Sequence, residues 1–304
     1  MGQAVASYPK RRALSHRRRE ALAGILFASP WLIGLCGLVL FPLLQSLWYS
    51  FTSYDILHPA HFIGLSNYTA LFGDSLAQQA FGNTVYITVI GVPIGIVTSL
   101  GLALLLNQDV RGISIYRTVF YLPSITPVVA SSLLWLWVLN GNYGLLNMLL
   151  ALVNVNGPNW FNDTTWAKPA IIMMITWGSS GATMIILLAG LKNIPQTLYE
   201  AAQIDGASMI AQFRHITLPM LSPTLFFVTV VAVINAFQVF TQAYITTQGG
   251  PLNSTLFYVY NLFNNAFGYF KMGYASAMAW LLFVVILALT LIQFRLSRYW
   301  VHYE

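Results

Sequence analysis

An all-α polytopic membrane protein with six transmembrane helices is the fold class that this sequence predicts, and three observations predict it. The 304 residues are 57% hydrophobic and only 7% charged, against about 25% charged in an ordinary soluble domain, so the chain cannot cover a water-facing surface. Six apolar segments reach the ~20 residues that a helix needs to cross the hydrocarbon core. Lys and Arg concentrate in alternate connecting loops, which gives the bundle an orientation.

In chain order the segments run at about 22–50, 85–106, 119–139, 168–190, 219–245 and 276–294. Only Lys168, at the edge of the fourth, places a Lys, Arg, Asp or Glu in any of them. Helices are expected because a lipid-facing strand edge leaves backbone groups unpaired. The first segment follows a basic stretch, as a signal peptide would. Its apolar run exceeds the roughly 7–15 residues of a signal core, so a retained helix is expected. Pro93 lies within the second span between Gly91 and Gly95, and the third opens with Pro123 and Pro127. Either close packing in a polytopic bundle or ordinary glycine and proline usage in membrane helices accounts for them. Trp135, Trp137, Trp160, Trp166 and Trp300 read as interface anchors or packing residues.

In the fifth span Asn235, Gln238 and Gln242 fall at i, i+3 and i+7, a face of amides in an otherwise apolar helix. An amide offers a donor and an acceptor without the desolvation cost of a charge, which suits a hydroxylated solute. Interhelical hydrogen bonding is the other reading of the same three residues.

The N-terminal tail has six basic residues (Lys10, Arg11, Arg12, Arg17, Arg18 and Arg19), and Arg111, Arg117, Lys192, Arg214, Arg295 and Arg298 follow in the even loops and the C-terminal tail. The odd loops hold only Lys168 and Lys271. Twelve against two puts both termini and the even loops in the cytoplasm. The net charge of +6 therefore reports membrane orientation and contact with anionic lipid, and no nucleic-acid partner is expected. The predicted organisation is a basic cytoplasmic tail over 1–20, a membrane domain over 21–298 and a cytoplasmic tail over 299–304.

Within that domain the cytoplasmic loop at 193–219 is the most informative stretch. Asn193 suits a helix cap, Pro195 a first helical turn, and Gln196 to Gln203 are good helix formers. Asp205 and Gly206 form a turn, after which Ala207 to Phe213 suit a second short helix before Pro219. Leu198, Tyr199, Ala201, Ala202, Ile204, Met209 and Phe213 are too apolar for a free loop. They need a groove on a partner, where Glu200 would meet a basic residue, or else the lipid headgroups or bundle ends.

The string EAAQIDGASMIAQFRHITLPMLSP resembles the EAA loop of binding-protein-dependent ABC importer permeases, matching at Glu200, Ala201, Ala202, Asp205, Gly206, Ala207, Phe213, Ile216, Leu218 and Pro219. The segments PWLIGLCGLVLFPLLQSLWYSFTSYD, FIGLSNYTALF, YRTVFYLPSITPVVASSLLWLWVLN and TQGGPLNST are similar to the MalF-like, UgpA-like half of the maltose and glycerol-phosphate type of sugar importer. The resemblance implies the ABC type I importer permease fold in a bacterial inner membrane, with Glu200 to Phe213 as a coupling helix seated in an ATPase subunit. It also implies a second permease as heterodimer partner, a pair of ATP-binding subunits that use ATP and magnesium, an extracytoplasmic solute-binding protein and a carbohydrate substrate. Additional N-terminal spans and the large periplasmic insertion of the maltose protein are absent from this sequence, so maltose itself is not implied.

No catalytic residue, cofactor or metal site is expected in this chain. None of the four lysines precedes Ser or Thr, which excludes GxxxxGK[ST], and GxSxG and HExxH are absent. Cys36 is the only cysteine, and His58 and His61 have no cluster of further ligands around them. The span cores contain no ionisable residue, the usual mark of an ion-coupled carrier, which is the rival transport reading. A membrane-embedded enzyme or a structural membrane protein is the other.

Overall fold

The computed structural model describes residues 16–108 and 110–302. Lys10, Arg11 and Arg12 of the basic tail, and the last two residues of the C-terminal one, lie outside the described residues. Helix α1 (His16–Gly34), a π-helical turn (Leu35–Leu40) and α2 (Phe41–Ser50) form the first span. Ser50 is its only buried residue between 20 and 50, and contact with the last helix is made through α2. A hairpin pairs β1 (Thr52–Ser53) antiparallel with β2 (His61–Phe62) and leads to α3 (Ser66–Gly73).

Helix α4 (Ser75–Leu105) starts well before the expected 85. The Asp74 side chain caps it, with Oδ1 accepting from the N–H of Leu76 at 2.9 Å and of Ala77 at 3.2 Å. Its first turns, SLAQQAFGN, are polar, so an apolar-run criterion passes over them. The expected third span is not one helix. It is divided into α5 (Ile113–Ile125) and α6 (Val128–Val138), bent by 100°. Pro127 forces Thr126 out of the helical region (ψ 129°) and has no N–H to continue the ladder.

After α7 (Leu145–Leu152), α8 (Ala167–Lys192) crosses close to the expected 168–190. Next come α9 (Gln196–Ile204), α10 (Met209–Gln212), a π-helical turn (Phe213–Thr217) and α11 (Leu218–Phe237). The fifth span thus ends at Phe237 and not near 245. Gln238 closes the helix at φ −105° and ψ 12°, with Phe237 and Val239 buried on either side of it. Helix α12 (Thr241–Thr246), α13 (Tyr258–Phe263), a π-helical turn (Asn264–Gly268) and α14 (Met272–Ser297) complete the chain. Among the described residues five helical stretches can cross a bilayer, and the bent pair α5–α6 makes a sixth if counted as one span.

Helices α4, α5, α8 and α11 form the centre. At Gly181 of α8 an added Cβ would strike the Phe120 carbonyl and lie 2.7 Å from Ser124 Oγ, which already accepts from the Ala182 N–H at 2.9 Å. One buried cluster (Met184, Leu187, Leu191, Ile194, Leu221) sits at the end carrying α9. Two more, around Ile171 and Phe257 and around Phe237, Tyr258 and Met278, hold the opposite end.

Candidate functional site

Two features distinguish this bundle from a lipid anchor: a rigid apolar knob at one end and a cavity between its central helices. The knob is built on α9. Pro195, not Asn193, precedes that helix, while Asn193 closes α8. At its C-terminus the Ala207 N–H donates to the Ala202 carbonyl (2.8 Å) and the Gly206 N–H to Gln203 (3.1 Å), with Gly206 left-handed at φ +76°. This is a Schellman closure, and it explains what Ala202, Asp205, Gly206 and Ala207 do: they stop the helix and reverse the chain. Ser208 then caps α10, accepting from the Ala211 N–H at 3.3 Å. Sequence reasoning missed this cap, although Ser three residues before a helical position is its usual signal. The second helix is also longer than expected, since α10, the π turn holding Phe213 and α11 run on without interruption.

Glu200 and Ala201 are exposed, and Ala202, Ala207 and Phe213 are half-buried. Tyr199 turns inward against the Leu191–Leu221 cluster, with its hydroxyl 2.9 Å from Thr217 Oγ1 in the π turn. Ile204, Met209 and Ile210 stand out at 87%, 85% and 80% exposure. The apolar edge of the loop is therefore these three, of which Ile210 escaped the sequence reading, and the Tyr199 side chain fastens it to the base of α11.

The cavity, of about 340 Å³, lies between α4, the α5–α6 bend, α8 and α11. Small residues open it: Gly91, Gly95 and Gly178 line it, and a Cβ on Gly95 or Gly178 would meet nothing within 4 Å. Gly91 also packs on Ile172, so the GxxxG pair serves helix contact at one position only. No Asp, Glu, Lys, Arg or His is among its described lining residues, and its polar groups are hydroxyls and two amides, Asn235 and Gln242. Neither amide side chain bonds another group of the described chain, whereas interhelical bonding was one of their two readings. The three predicted amides do not share one helix face, because α11 ends between Asn235 and Gln238. Gln238 is exposed outside the cavity, and its Nε2 donates back to the Ile234 carbonyl at 3.2 Å.

Beside this cavity and sharing Pro123, Ile172 and Thr176 with it, an apolar cleft of about 680 Å³ opens between α4, α5 and α8. Tyr86, Trp135 and Trp177 line it. The two indoles meet edge to face at 5.8 Å, and Trp135 Nε1 is buried with no acceptor among the described residues. Trp160, by contrast, donates to Asn147 Oδ1 at 2.7 Å and packs edge to face on Trp166, a structural arrangement. His58 Nδ1 lies 2.7 Å from Asp55 Oδ2, and among the described residues no three metal-ligating side chains gather.

Residues 91–301 match the family described as binding-protein-dependent transport system inner membrane component. The chain is similar to the probable ABC transporter permease protein YesP of Bacillus subtilis, 44% identical over 94% of each chain. It is also 35% identical to the sulfoquinovosyl glycerol transport system permease protein SmoG of Agrobacterium fabrum, over 92% of this chain and 91% of that one. With a subunit of a bacterial ABC transporter involved in the import of the acidic polysaccharide alginate, the fold superposes at a TM-score of 0.80, with 22% identity over 93% of this chain and 96% of the other.

Proposed function

This chain belongs to the family of binding-protein-dependent transport system inner-membrane components, and from that premise we propose that it is a multi-pass permease subunit of an ATP-driven carbohydrate importer. The exposed knob at Ile204, Met209 and Ile210 carries the reading, because it is apolar, conformationally closed and continuous with α11. It suits a groove on an ATP-binding subunit, with Glu200 pairing to a basic residue there. ATP-dependent closure of that partner would move α9 and α11 as one body and rock the bundle between inward and outward states. Positive charge in the even loops and tails favours a cytoplasmic position for the knob and both termini.

A second permease, a pair of ATP-binding subunits that handle ATP and magnesium, and an extracytoplasmic solute-binding protein would complete the importer. Carbohydrate is the solute class best suited to a cavity of hydroxyls and unbonded amides without charge, and several relatives are named for sugar transport. Asn235 and Gln242 are the contact residues proposed for this half of the pathway. The buried donor of Trp135 and the rings of Tyr86 and Trp177 favour a second reading, in which the solute lies in the neighbouring cleft with an aromatic face beneath it.

The test is uptake and ATP hydrolysis by the assembled importer in proteoliposomes. Replacing Glu200 and Gly206 together should abolish uptake and uncouple ATP hydrolysis while leaving the chain inserted. Normal uptake by that variant rejects the coupling role, and uptake without any ATPase partner would favour an ion-coupled carrier.

A further inference from the structure

At the end of the bundle opposite α9, outside both cavities described above, a third hollow of about 420 Å³ lies between the hairpin residues 52–55, α3 and the turn before α14. Its two rims are tied together: the Gly273 N–H donates to the Tyr54 carbonyl at 3.0 Å, and a Cβ on Gly273 would strike the Thr52 carbonyl. Two nearly buried amides line it, Asn67 at 8% exposure and Asn265 at 6%. Asn67 Nδ2 donates to the Ser50 and Thr52 carbonyls, both at 2.9 Å. Asn265 Nδ2 donates to the Asn261 carbonyl at 2.9 Å and to Asn261 Oδ1 at 3.1 Å. Each amide is thereby locked in place by its donor side, and each keeps its Oδ1 without a donor from the described chain. Lys271 and Tyr269, both exposed, line the same hollow, as does Tyr54, whose ring is stacked on Tyr49 at 4.4 Å.

Charge identifies the kind of ligand. Asp55 is paired with His58, and Asp74, which accepts from the Tyr274 hydroxyl at 2.7 Å, lies in the field of Lys271. With Asp55 and Asp74 against the single Lys271, the lining has no surplus of positive charge to hold an anion, and each carboxylate already accepts a hydrogen bond from the chain. What it offers is fixed acceptors, free donors and aromatic surface, in a volume within the usual range for small-molecule sites.

We propose that this hollow is a second carbohydrate site, binding a neutral mono- or disaccharide at the end of the bundle away from the coupling loop. Asn67 and Asn265 accept from sugar hydroxyls, Lys271 donates to ring or hydroxyl oxygens, and Tyr269 covers one face of the ring. The site rests on the carbohydrate reading above for its ligand class, and on its own geometry for its place.

Photolabelling of the assembled importer in nanodiscs tests it, with maltose and lactose bearing a diazirine as probes and labelled peptides mapped by mass spectrometry. The expected result is label on peptides from 52–74 or 264–272, suppressed by excess unlabelled sugar. Lys271→Ala and Tyr269→Ala, both at exposed positions, should each reduce it about fivefold, as the loss of one hydrogen bond or ring contact would. Label confined to peptides of the central cavity overturns the second site and leaves the importer reading intact. Absent label, or label that excess sugar does not displace, also overturns it. Displaceable label in a complex that supports no uptake would sustain the site while the importer reading fails. If Lys271→Ala abolishes capture of the solute-binding protein and leaves labelling unchanged, the hollow is a protein-docking surface and the proposal is wrong.

Discussion

Gly206 and Gly181 separate two reasons for a glycine. At Gly206 the backbone is left-handed at φ +76° and a Cβ would meet nothing within 4 Å. Gly206→Ala therefore costs only the conformational penalty, about 1 kcal/mol, and should leave thermal stability almost unchanged while weakening coupled ATP hydrolysis. Gly181 is helical, but a Cβ there would run into the α5 backbone at Phe120. Gly181→Ala should lower the melting temperature of the purified chain by several degrees, because a backbone clash cannot be relieved by a rotamer change. Equal melting temperatures for the two variants would contradict this distinction. The first role was legible in the sequence, since Asp205-Gly206 marks a turn, whereas the second depends on a neighbour about sixty residues away in the chain, for which one sequence contains no signal. The amides divide in the same way: their chemistry is legible from residue type, but a shared face for Asn235, Gln238 and Gln242 requires a helix that continues to about 245, and α11 stops at Phe237.

At the scale of elements, α9 acts as a lever only if it is joined to α11. Tyr199 makes the side-chain join, through its hydroxyl to Thr217 at 2.9 Å and its ring against Leu191 and Leu221. Tyr199→Phe and Thr217→Val should each reduce sugar-stimulated ATP hydrolysis severalfold, as loss of about 1 kcal/mol of coupling would. The double variant should be no worse than Thr217→Val alone, which also gives up the 3.5 Å contact with the Gln212 carbonyl, since both changes remove the same Tyr199–Thr217 bond; additive losses in that cycle would refute the join. Helices α8 and α14 matched their apolar runs closely because hydrophobic length sets a membrane span. The third and fifth segments did not. Pro127 is visible in the sequence, but a proline suits a helix start as well as a break, and the apolar run through 239–245 carries no local mark of the stop at Phe237.

For the whole molecule, orientation is the property most open to direct test. A cysteine at Lys192, in a Cys36→Ser background, should react with an impermeant maleimide only after the cell is opened, and one at Lys271 should react in intact cells. The reverse pattern would place α9 outside and remove the coupling proposal. Composition, span count, charge asymmetry and the turn chemistry of 200–207 belonged to the sequence alone, because each follows from local residue type and from the bilayer acting as solvent. Tertiary structure decided where spans break, which amides meet in a cavity, and that Asn67 and Asn265 share a hollow. Those facts depend on contacts between residues up to two hundred positions apart, and close packing between helices, not any local preference, determines them.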